Sequence, residues 1–402
     1  MRKRLFFAIH YLEIGGAEMS LIGLLHALDY SRVEVDLFVY SHRGELMAMI
    51  PKEVNLLPEV PEYAQIERPV KEVLKDGYWK IAYARLKAKW QYRQYARRKQ
   101  PKDGAAIFHY VDQAVCPYLP SLERLGEYDL AISFLMPHGI VLRKVKAKKK
   151  VAWIHTDYTR IDTNAAAEFP VWNGYDRIAA ISEEAAKAFL TVHPQLREKV
   201  MVVENILSPD FVWERAKAHS KEEVDREMLC RENEVCILSV GRFTEAKNYD
   251  NVPDICRRMV KKSISVKWFI IGFGGDEALI RRRIAEQGME RHVIILGKKT
   301  NPYPYILHCD IYAQPSRYEG KSVTVREAQI LSKPVVITDY PTAASQVNDG
   351  VDGVIVPMDN EGCADGMAAF IKDRQKQDAI RKYLLSHDYG NERYAKIIEH
   401  LA

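Results

Sequence analysis

The most informative stretch for the fold is residues 311–337, which reads IYAQPSRYEGKSVTVREAQILSKPVVI. A short apolar run at 311–313 is followed by a polar loop, a helix-like segment and a second apolar run at 334–337. Strand, loop, helix and strand in this order are typical of a parallel sheet covered by helices. The stretch therefore predicts an α/β protein.

The same alternation extends over the whole chain. Apolar runs predict strands at 5–9, 33–39, 130–134, 151–154, 177–181 and 200–203, and then at 235–240, 267–271, 293–296, 311–313 and 334–337. A chain of 402 residues exceeds what one core usually supports. We predict a first domain at 1–205, a polar interdomain connection at 206–233, a second domain at 234–387 and an amphipathic helix at 388–402. Two α/β domains in tandem predict a ligand in the cleft between the carboxyl ends of their strands.

The composition excludes several classes of protein. Apolar residues make up 47% and charged residues 28%, as in ordinary globular proteins. No apolar run is long enough to span a bilayer, and the basic start with its short apolar run is predicted to be a buried strand rather than a signal peptide. The six cysteines are scattered without zinc-ligand spacing, which predicts free thiols, no metal site and a cytoplasmic location.

Two glutamates flank the start of the helix predicted near Ser322. Glu319 lies in the loop after a buried strand, and Glu327 lies inside the helix. A helix start offers free N–H groups to phosphate, and carboxylates accept hydrogen bonds from hydroxyl groups. We therefore predict a binding site at Gly320, Lys321, Ser322 and Val323 with both glutamates; the alternative is two solvated surface glutamates.

A second motif, residues 241–248, follows the predicted strand 235–240. Arg242 can bind phosphate oxygens through two donors, and Lys247 adds a point charge. Fixed cations stabilise the charge that develops on a phosphate leaving group. The chain has no Asp-x-Asp triplet to suggest a metal in that role. The alternative is an ordinary basic loop.

Three weaker signals accompany these motifs. Gly15 and Gly16 follow the first strand and would let a phosphate approach the backbone, or they form a simple tight turn. The glycine-rich residues 272–275 lack the dinucleotide pattern and are predicted to be a turn that makes room in the cleft. His155 ends a strand of the first domain, where a ligand role competes with a structural one.

In this order, the motifs resemble the family 4 glycosyltransferases, which have the GT-B fold of two Rossmann-like domains with parallel sheets facing a cleft. The most specific match is Pro315-Ser316-x-x-Glu319-Gly320 followed by Glu327-Ala328, with the Glu-x7-Glu spacing of that family. The Gly-Arg-x4-Lys-Asn motif strengthens the match, and Gly15-Gly16 and His155 agree in position. The resemblance covers nearly the whole chain.

The resemblance implies a role for each motif. Arg242 and Lys247 would hold the donor diphosphate, Glu319 the donor sugar and Glu327 the ribose hydroxyls. Gly15 and Gly16 would lie near the donor phosphate, and His155 beside the donor sugar, so Glu319 and His155 are the implied catalytic residues. The first domain would bind the acceptor and the second the nucleotide-sugar donor, and the final helix would pack back onto the first domain. The implied reaction retains anomeric configuration and needs no metal or other cofactor.

The implied function is transfer of a sugar, most simply from a UDP-sugar, to a glycan or lipid-linked acceptor in capsule, exopolysaccharide or lipopolysaccharide biosynthesis. The sequence departs from the commonest pattern at Lys321 and Ser322, at Ser332 where glycine is frequent, and at residues 340–343. These positions flank the expected sugar. A nucleotide-sugar epimerase of the same fold and an inactive nucleotide-sugar-binding subunit are the alternatives.

A basic segment in the first domain needs its own explanation. Residues 80–102 carry nine Lys and Arg and no acidic residue, and Trp79, Tyr83, Leu86 and Trp90 recur at helical spacing. We predict either that this segment docks on the anionic inner face of the plasma membrane or that it forms a helix whose aromatic side packs inside the domain. A second basic cluster lies at 143–150, and no nucleic-acid-binding module is apparent. The membrane or acceptor candidates are Lys87, Lys89, Trp90, Arg93, Arg97 and Arg98.

Overall fold

The computed structural model describes residues 2–101, 103–159, 161–390 and 393–402. Contacts divide the chain into two units: Met1–Ile206 with Asn391–Ala402, and Leu207–Gly390. Each unit is a parallel β-sheet covered by helices, as the apolar runs predict.

Within the described residues, the sheet of the first unit has seven parallel strands in the order β3-β2-β1-β4-β5-β6-β7. The central strands are buried on both faces, because helices cover both sides of a parallel sheet. The strands are β1 (Lys3–Ile9), β2 (Val33–Val39), β3 (Asn55–Leu56), β4 (Tyr128–Ser133), β5 (Ala147–Ile154), β6 (Arg177–Ala180) and β7 (Val200–Val202).

Helices of the first unit up to residue 206 connect these strands and cover the sheet. Aromatic side chains fill part of this core, where Phe38 meets Tyr63 edge-on at 4.9 Å between ring centroids. The helices are α1 (Gly16–Ala27), α2 (Pro61–Ala64), α3 (Val70–Lys75), α4 (Trp79–Lys99), α5 (Ile107–Val115), α6 (Gly139–Lys144), α7 (Ala165–Asn173) and α8 (Glu183–Val192).

The second unit has a sheet of six parallel strands among the residues described, in the order β10-β9-β8-β11-β12-β13. Its core includes Trp268, whose indole N–H donates to Ser239 Oγ at 2.9 Å, so that the buried polar groups are paired. The strands are β8 (Val235–Val240), β9 (Val266–Ile271), β10 (Val293–Gly297), β11 (Ile311–Gln314), β12 (Val335–Thr338) and β13 (Val354–Val356).

The predicted connection 206–233 needs correction, because its described helices are part of the second unit. The first of them packs on a later helix of that unit, where Phe211 meets Tyr303 and the Asn301 amide donates to Arg215 O at 2.8 Å. The helices of this unit are α9 (Pro209–Ala216), α10 (Lys221–Glu227), α11 (Val252–Lys261), α12 (Glu277–Gln287), α13 (Tyr303–His308), α14 (Val323–Ile330), α15 (Ala343–Gln346), α16 (Asn360–Lys372) and α17 (Arg374–Ser386).

The chain returns to the first unit with α18 (Arg393–Leu401), shorter than the predicted helix 388–402, of which residues 391 and 392 lie outside the described residues. Ile398 is fully buried, Glu399 accepts the Asp29 N–H at 3.0 Å, and Lys149 Nζ donates to Leu401 O at 2.9 Å. These contacts fasten α18 to the first unit.

In both sheets the strand order reverses beside the first strand. The neighbours β1 and β4 flank the reversal in the first unit, and β8 and β11 flank it in the second. Loops that leave the carboxyl ends of two such strands run in opposite directions and open a crevice, where α/β proteins bind ligands. The fold therefore points to one candidate site in each unit.

Candidate functional site

The crevice of the second unit lies between the loops that follow β8 and β11. Arg317 holds these loops together: its N–H donates to Ala246 O at 2.8 Å, and its guanidinium binds both oxygens of Asp250 at 2.9 and 2.8 Å. Two parallel hydrogen bonds fix a guanidinium in position as well as in charge. The two predicted motifs therefore form one surface.

At this surface, Lys247 and Glu319 form an ion pair. Lys247 Nζ lies 2.6 Å from Glu319 Oε1, and the two side chains are only 20% and 11% exposed. The same carboxylate oxygen accepts the Ser316 hydroxyl at 2.6 Å and the Gln314 amide at 3.2 Å. The structure thus brings together two site residues predicted from separate motifs.

A buried network beneath Glu319 fixes its position. Gln314 and Ser316 are fully buried, and the Gln314 amide donates to Ser316 Oγ at 2.8 Å while its oxygen accepts the Tyr312 hydroxyl at 2.8 Å. The sequence prediction missed Gln314 and Ser316 as positioning residues. The available signal was that polar residues end a strand that is otherwise apolar.

Arg242 differs from Lys247, because it has no partner among the described residues. Its side chain is exposed, and it makes no hydrogen bond or ion pair with the part of the chain that the structure describes. A guanidinium beside a paired lysine can receive an anion without first breaking a contact.

The glycine-rich residues 272–275 pack against the Arg242 loop. A Cβ atom on Gly272 would lie 2.0 Å from Gly241 O, and one on Gly274 would lie 2.4 Å from Phe243 O. The Phe243 N–H also donates to Phe273 O at 2.8 Å. These glycines therefore make room for a neighbouring loop of the same unit.

Helix α14 begins after Ser322, as predicted. The Gln346 side chain holds this start, because its oxygen accepts the Ser322 N–H at 2.9 Å and its amide donates to Ser322 O. No side chain caps the first turn. Gly320 is exposed, whereas Ser322 is buried and Lys321 and Val323 are half-buried. The first-turn N–H groups are available to a ligand.

Glu327 lies inside α14 and is almost fully buried. The Tyr303 hydroxyl donates to Glu327 Oε1 at 2.7 Å. Burial raises the pKa of Glu327 to about 7, although the Tyr303 hydrogen bond acts in the opposite direction. Neither predicted glutamate is a solvated surface residue, so that alternative is wrong.

The remaining predicted ligand residues lie in the first unit. Gly15 caps the start of α1 and accepts the Met19 N–H at 2.9 Å, and the exposed Gly16 begins the helix. His155 follows β5, and its ring lies 4.6 Å from the Phe134 ring. Burial lowers the pKa of His155 to about 3, so its imidazole is neutral at physiological pH.

The basic helix α4 exposes its aromatic side. Trp79, Tyr83, Leu86 and Trp90 are 50–68% exposed, whereas the buried residues of the helix are Ile81, Ala82, Ala84 and Ala88. The alternative in which the aromatic side packs inside the domain is therefore wrong. The predicted candidates Lys87, Lys89, Arg93, Arg97 and Arg98 are also exposed, and Lys102 lies outside the described residues.

The second basic cluster, 143–150, is used inside the unit. Lys148 binds Asp129 at 2.7 Å, Lys144 Nζ donates to Leu119 O at 2.8 Å, and Lys150 Nζ donates to Leu142 O at 2.7 Å. These charges anchor β5 and α6 to their neighbours. Across the described ranges, no helix is long and apolar enough to cross a membrane.

Comparisons with known proteins agree with this geometry. Residues 220–385 match the family described as glycosyl transferases group 1. Over 147 residues the chain is 32% identical to N-acetylgalactosamine-N,N'-diacetylbacillosaminyl-diphospho-undecaprenol 4-alpha-N-acetylgalactosaminyltransferase of Campylobacter jejuni, covering 36% of this chain. The chain spans about two fifths of the length of that relative, 39%.

Two further comparisons extend over more of the chain. Over 299 residues it is 26% identical to the amylovoran biosynthesis glycosyltransferase AmsD of Erwinia amylovora, covering 73% of this chain and 81% of AmsD. The crystal structure of Anabaena HepE in complex with UDP and glucose superposes with a TM-score of 0.69 at 15% identity and covers 99% of both chains. Residues 220–385 thus match the glycosyl transferases group 1 family, and the chain has the GT-B fold.

Proposed function

We propose that this protein is a retaining glycosyltransferase that moves a sugar from a UDP-sugar to a glycan or lipid-linked acceptor in cell-surface polysaccharide biosynthesis, in the cytoplasm and without a metal. The observation that carries the proposal is the Lys247–Glu319 ion pair in the crevice between β8 and β11, where the loop after β8 also carries the exposed Arg242. The names of the relatives support it, because both the Campylobacter and the Erwinia proteins are glycosyltransferases.

In this proposal the donor diphosphate lies against Arg242, Lys247 and the open first turn of α14. Negative charge grows on the phosphate as its bond to the sugar breaks, and two fixed cations and the helix start stabilise that charge. These groups would supply the stabilisation that a metal provides in other enzymes. Lys247 would bind the diphosphate instead of Glu319, so that Glu319 could accept a hydrogen bond from a hydroxyl of the donor sugar.

Glu327 would accept the ribose hydroxyls, for which it must share or replace its hydrogen bond from Tyr303. Gly15, Gly16 and the neutral His155 would complete the donor contacts, as the family resemblance implies. For retention, the acceptor oxygen bonds to the sugar carbon on the face that the phosphate leaves. The bond from carbon to phosphate oxygen breaks, and a phosphate oxygen takes the acceptor proton.

The test combines nucleotide binding and product analysis. A thermal-shift screen of the full chain against UDP, GDP, ADP and NAD should show stabilisation by UDP, because ligands that bind only the native state raise its stability. Arg242→Ala should weaken this shift, whereas Glu319→Ala should keep it and lower transfer by about 10²–10³-fold. Arg282→Ala, on the exposed side of α12, is the matched control.

Three results would contradict the proposal. A shift with NAD alone would indicate a different enzyme class, and full transfer activity in Glu319→Ala would show that the site is assigned wrongly. Release of free epimerised sugar without an acceptor would favour an epimerase.

We also propose that α4 docks the enzyme on an anionic membrane that carries a lipid-linked acceptor. The exposed Trp79, Tyr83, Leu86 and Trp90 offer apolar surface to the headgroup region, and the neighbouring exposed Lys and Arg side chains complement anionic lipids. Each basic side chain near such a surface adds about 1 kcal/mol of attraction. The cluster at 143–150 differs from α4, because Lys144, Lys148 and Lys150 each contact a partner within the unit.

Flotation with phosphatidylglycerol or phosphatidylcholine vesicles tests the docking. Binding should require phosphatidylglycerol and should fall in a Trp79→Ser, Trp90→Ser double variant. A Leu229→Ser, Leu385→Ser variant removes two equally exposed apolar side chains elsewhere and should bind like the wild type. The absence of lipid-dependent binding at physiological salt would refute this part of the proposal.

A further inference from the structure

The loop that begins at His155 is fastened at its far end to other parts of the first unit. Asn164 ends this loop as the N-cap of α7, where its side-chain oxygen accepts the Ala167 N–H at 3.3 Å. Residue 160 lies outside the described residues. We call residues 161–164 the strap. Its hydrogen bonds lead to α4, to α5 and to the turn between these two helices.

Two tyrosines bind the strap from the two helices. The Tyr95 hydroxyl of α4 donates to Thr163 O at 3.1 Å, and the Asn164 amide donates to the Tyr110 hydroxyl of α5 at 2.8 Å. The rings of Tyr95 and Tyr110 also meet, with centroids 6.0 Å apart. The strap is therefore bonded where α4 and α5 pack on each other.

Asp103 binds the strap from the turn between α4 and α5. One oxygen of its carboxylate accepts the Asp162 N–H at 3.0 Å, and the other accepts the Ala105 N–H at 2.7 Å. The Tyr92 hydroxyl of α4 donates to Asp103 O at 3.2 Å. A backbone hydrogen bond of the strap thus depends on a turn that α4 itself holds in place.

Helix α4 carries this inner surface and the exposed aromatic stripe on opposite faces. Its buried residues Ile81, Ala84 and Ala88 are followed at helical spacing by Tyr92 and Tyr95, which are half-buried. The exposed stripe follows the same spacing on the other side of the helix. One helix therefore connects the surface proposed to meet lipid with the residues that bind the strap.

This arrangement couples the two faces of α4 energetically. The stripe forms one surface only while α4 is helical, so a membrane that binds the stripe stabilises the helical state. Tyr92 and Tyr95 belong to the same helix, and the groups bonded to them share that stabilisation. Loops open at a lower free energy than the core, so the strap is the part in which the gain is largest.

We propose that docking of α4 on an anionic membrane stabilises the strap, and with it the loop that begins at His155, so that the enzyme turns over faster on the membrane than in solution. This inference rests on the proposed function, which supplies the docking of α4 and the role of His155. Tyr95 and Tyr110 are positioning residues in this assignment, because they act through the strap and not on the substrates.

Hydrogen–deuterium exchange of the full chain, followed by mass spectrometry, measures the opening of the strap. Peptides that contain residues 161–164 should exchange about fivefold more slowly with phosphatidylglycerol vesicles than with phosphatidylcholine vesicles, which is the effect of one neutral hydrogen bond on an opening equilibrium. Release of UDP from UDP-glucose, UDP-galactose and their N-acetylated forms is measured on the same samples. For the donor that reacts, kcat should rise by a similar factor with phosphatidylglycerol.

A Tyr95→Phe, Tyr110→Phe double variant tests the coupling itself. It keeps both rings and removes both hydroxyl groups that bind the strap. It should float with phosphatidylglycerol vesicles like the wild type, which shows that it is folded with its stripe intact. Its exchange at the strap and its kcat should be the same with both kinds of vesicle. Tyr118→Phe, which removes the hydroxyl of an exposed ring elsewhere, should respond like the wild type.

The possible failures are distinguishable. A wild type that floats with phosphatidylglycerol but shows unchanged exchange at the strap would overturn the inference, and so would a double variant that responds to vesicles like the wild type. Failure of the wild type to float would refute the docking and the inference together. A missing UDP thermal shift with an intact exchange response would contradict the proposed donor site and leave the coupling of α4 to the strap standing.

Discussion

Replacing Lys247 by methionine should both destabilise the protein and weaken UDP binding. The substitution keeps an unbranched side chain one atom shorter and removes its charge, leaving Glu319 with the Ser316 and Gln314 hydrogen bonds. Breaking a fully buried ion pair costs about 3–5 kcal/mol, and a hydrogen bond to a charged group contributes about 1.5–3 kcal/mol. Because the Lys247 and Glu319 side chains are still 20% and 11% exposed, the range for a hydrogen bond to a charged group applies, and we expect the free energy of unfolding to fall by about 2 kcal/mol.

A double-mutant cycle isolates this interaction. Urea unfolding at pH 7.5 of wild type, Lys247→Met, Glu319→Gln and the double variant should give a coupling energy of about 1.5–3 kcal/mol. The UDP-induced thermal shift should fall with Lys247→Met and persist with Glu319→Gln, because only the lysine contacts the diphosphate in the proposal. A coupling energy below about 0.5 kcal/mol, the usual scatter of additive pairs, would refute the reasoning.

Three further predictions concern single side chains of the second unit. The folded-state pKa of Glu327 is raised from 4.5 to about 7, so the stabilisation by its protonated form is full below pH 4.5 and is lost as the pH rises through 7. Thermal melting from pH 5 to 8 should show this loss of about 3 kcal/mol in the wild type, and Glu327→Gln should abolish it. Gly272→Ala forces a Cβ to 2.0 Å from Gly241 O and should cost about 1–3 kcal/mol and weaken the UDP shift, whereas Gly275→Ala meets no atom within 4 Å and should change little. Ser332 has φ +55°, so Ser332→Gly should raise the free energy of unfolding by roughly 1 kcal/mol in urea titrations; no gain would show that the turn is unstrained.

The sequence predicted most strands because buried parallel strands are nearly continuous apolar runs. The prediction failed at β5, which begins at Ala147 rather than at residue 151. Lys148 and Lys149 were missed because charged residues are not typical of a buried strand. Their ammonium groups donate hydrogen bonds to Asp129 and to Leu401 O. Tertiary partners outweighed the local pattern there. Similarly, 206–233 was predicted to be a connection because it is polar and charged, whereas the partners of α9, such as Tyr303, lie far along the chain.

At the candidate site, too, the sequence predicted the local motifs but not the contacts between distant parts of the chain. Local spacing identified Lys247 and Glu319 individually, yet their contact joins residues that are 72 positions apart and depends on β8 and β11 being neighbours.

The return of α18 to the first unit affects the order in which the protein can fold during synthesis. Leu207–Gly390 separates the two parts of the first unit along the chain. At typical translation rates, the ribosome needs roughly 10–40 s to make that insert. Throughout this interval, the surface of the first unit that later covers Ile398 has no helix to pack against. The second unit has all of its sequence as soon as the insert is complete. The first unit can therefore complete its core only after the second unit has been synthesised.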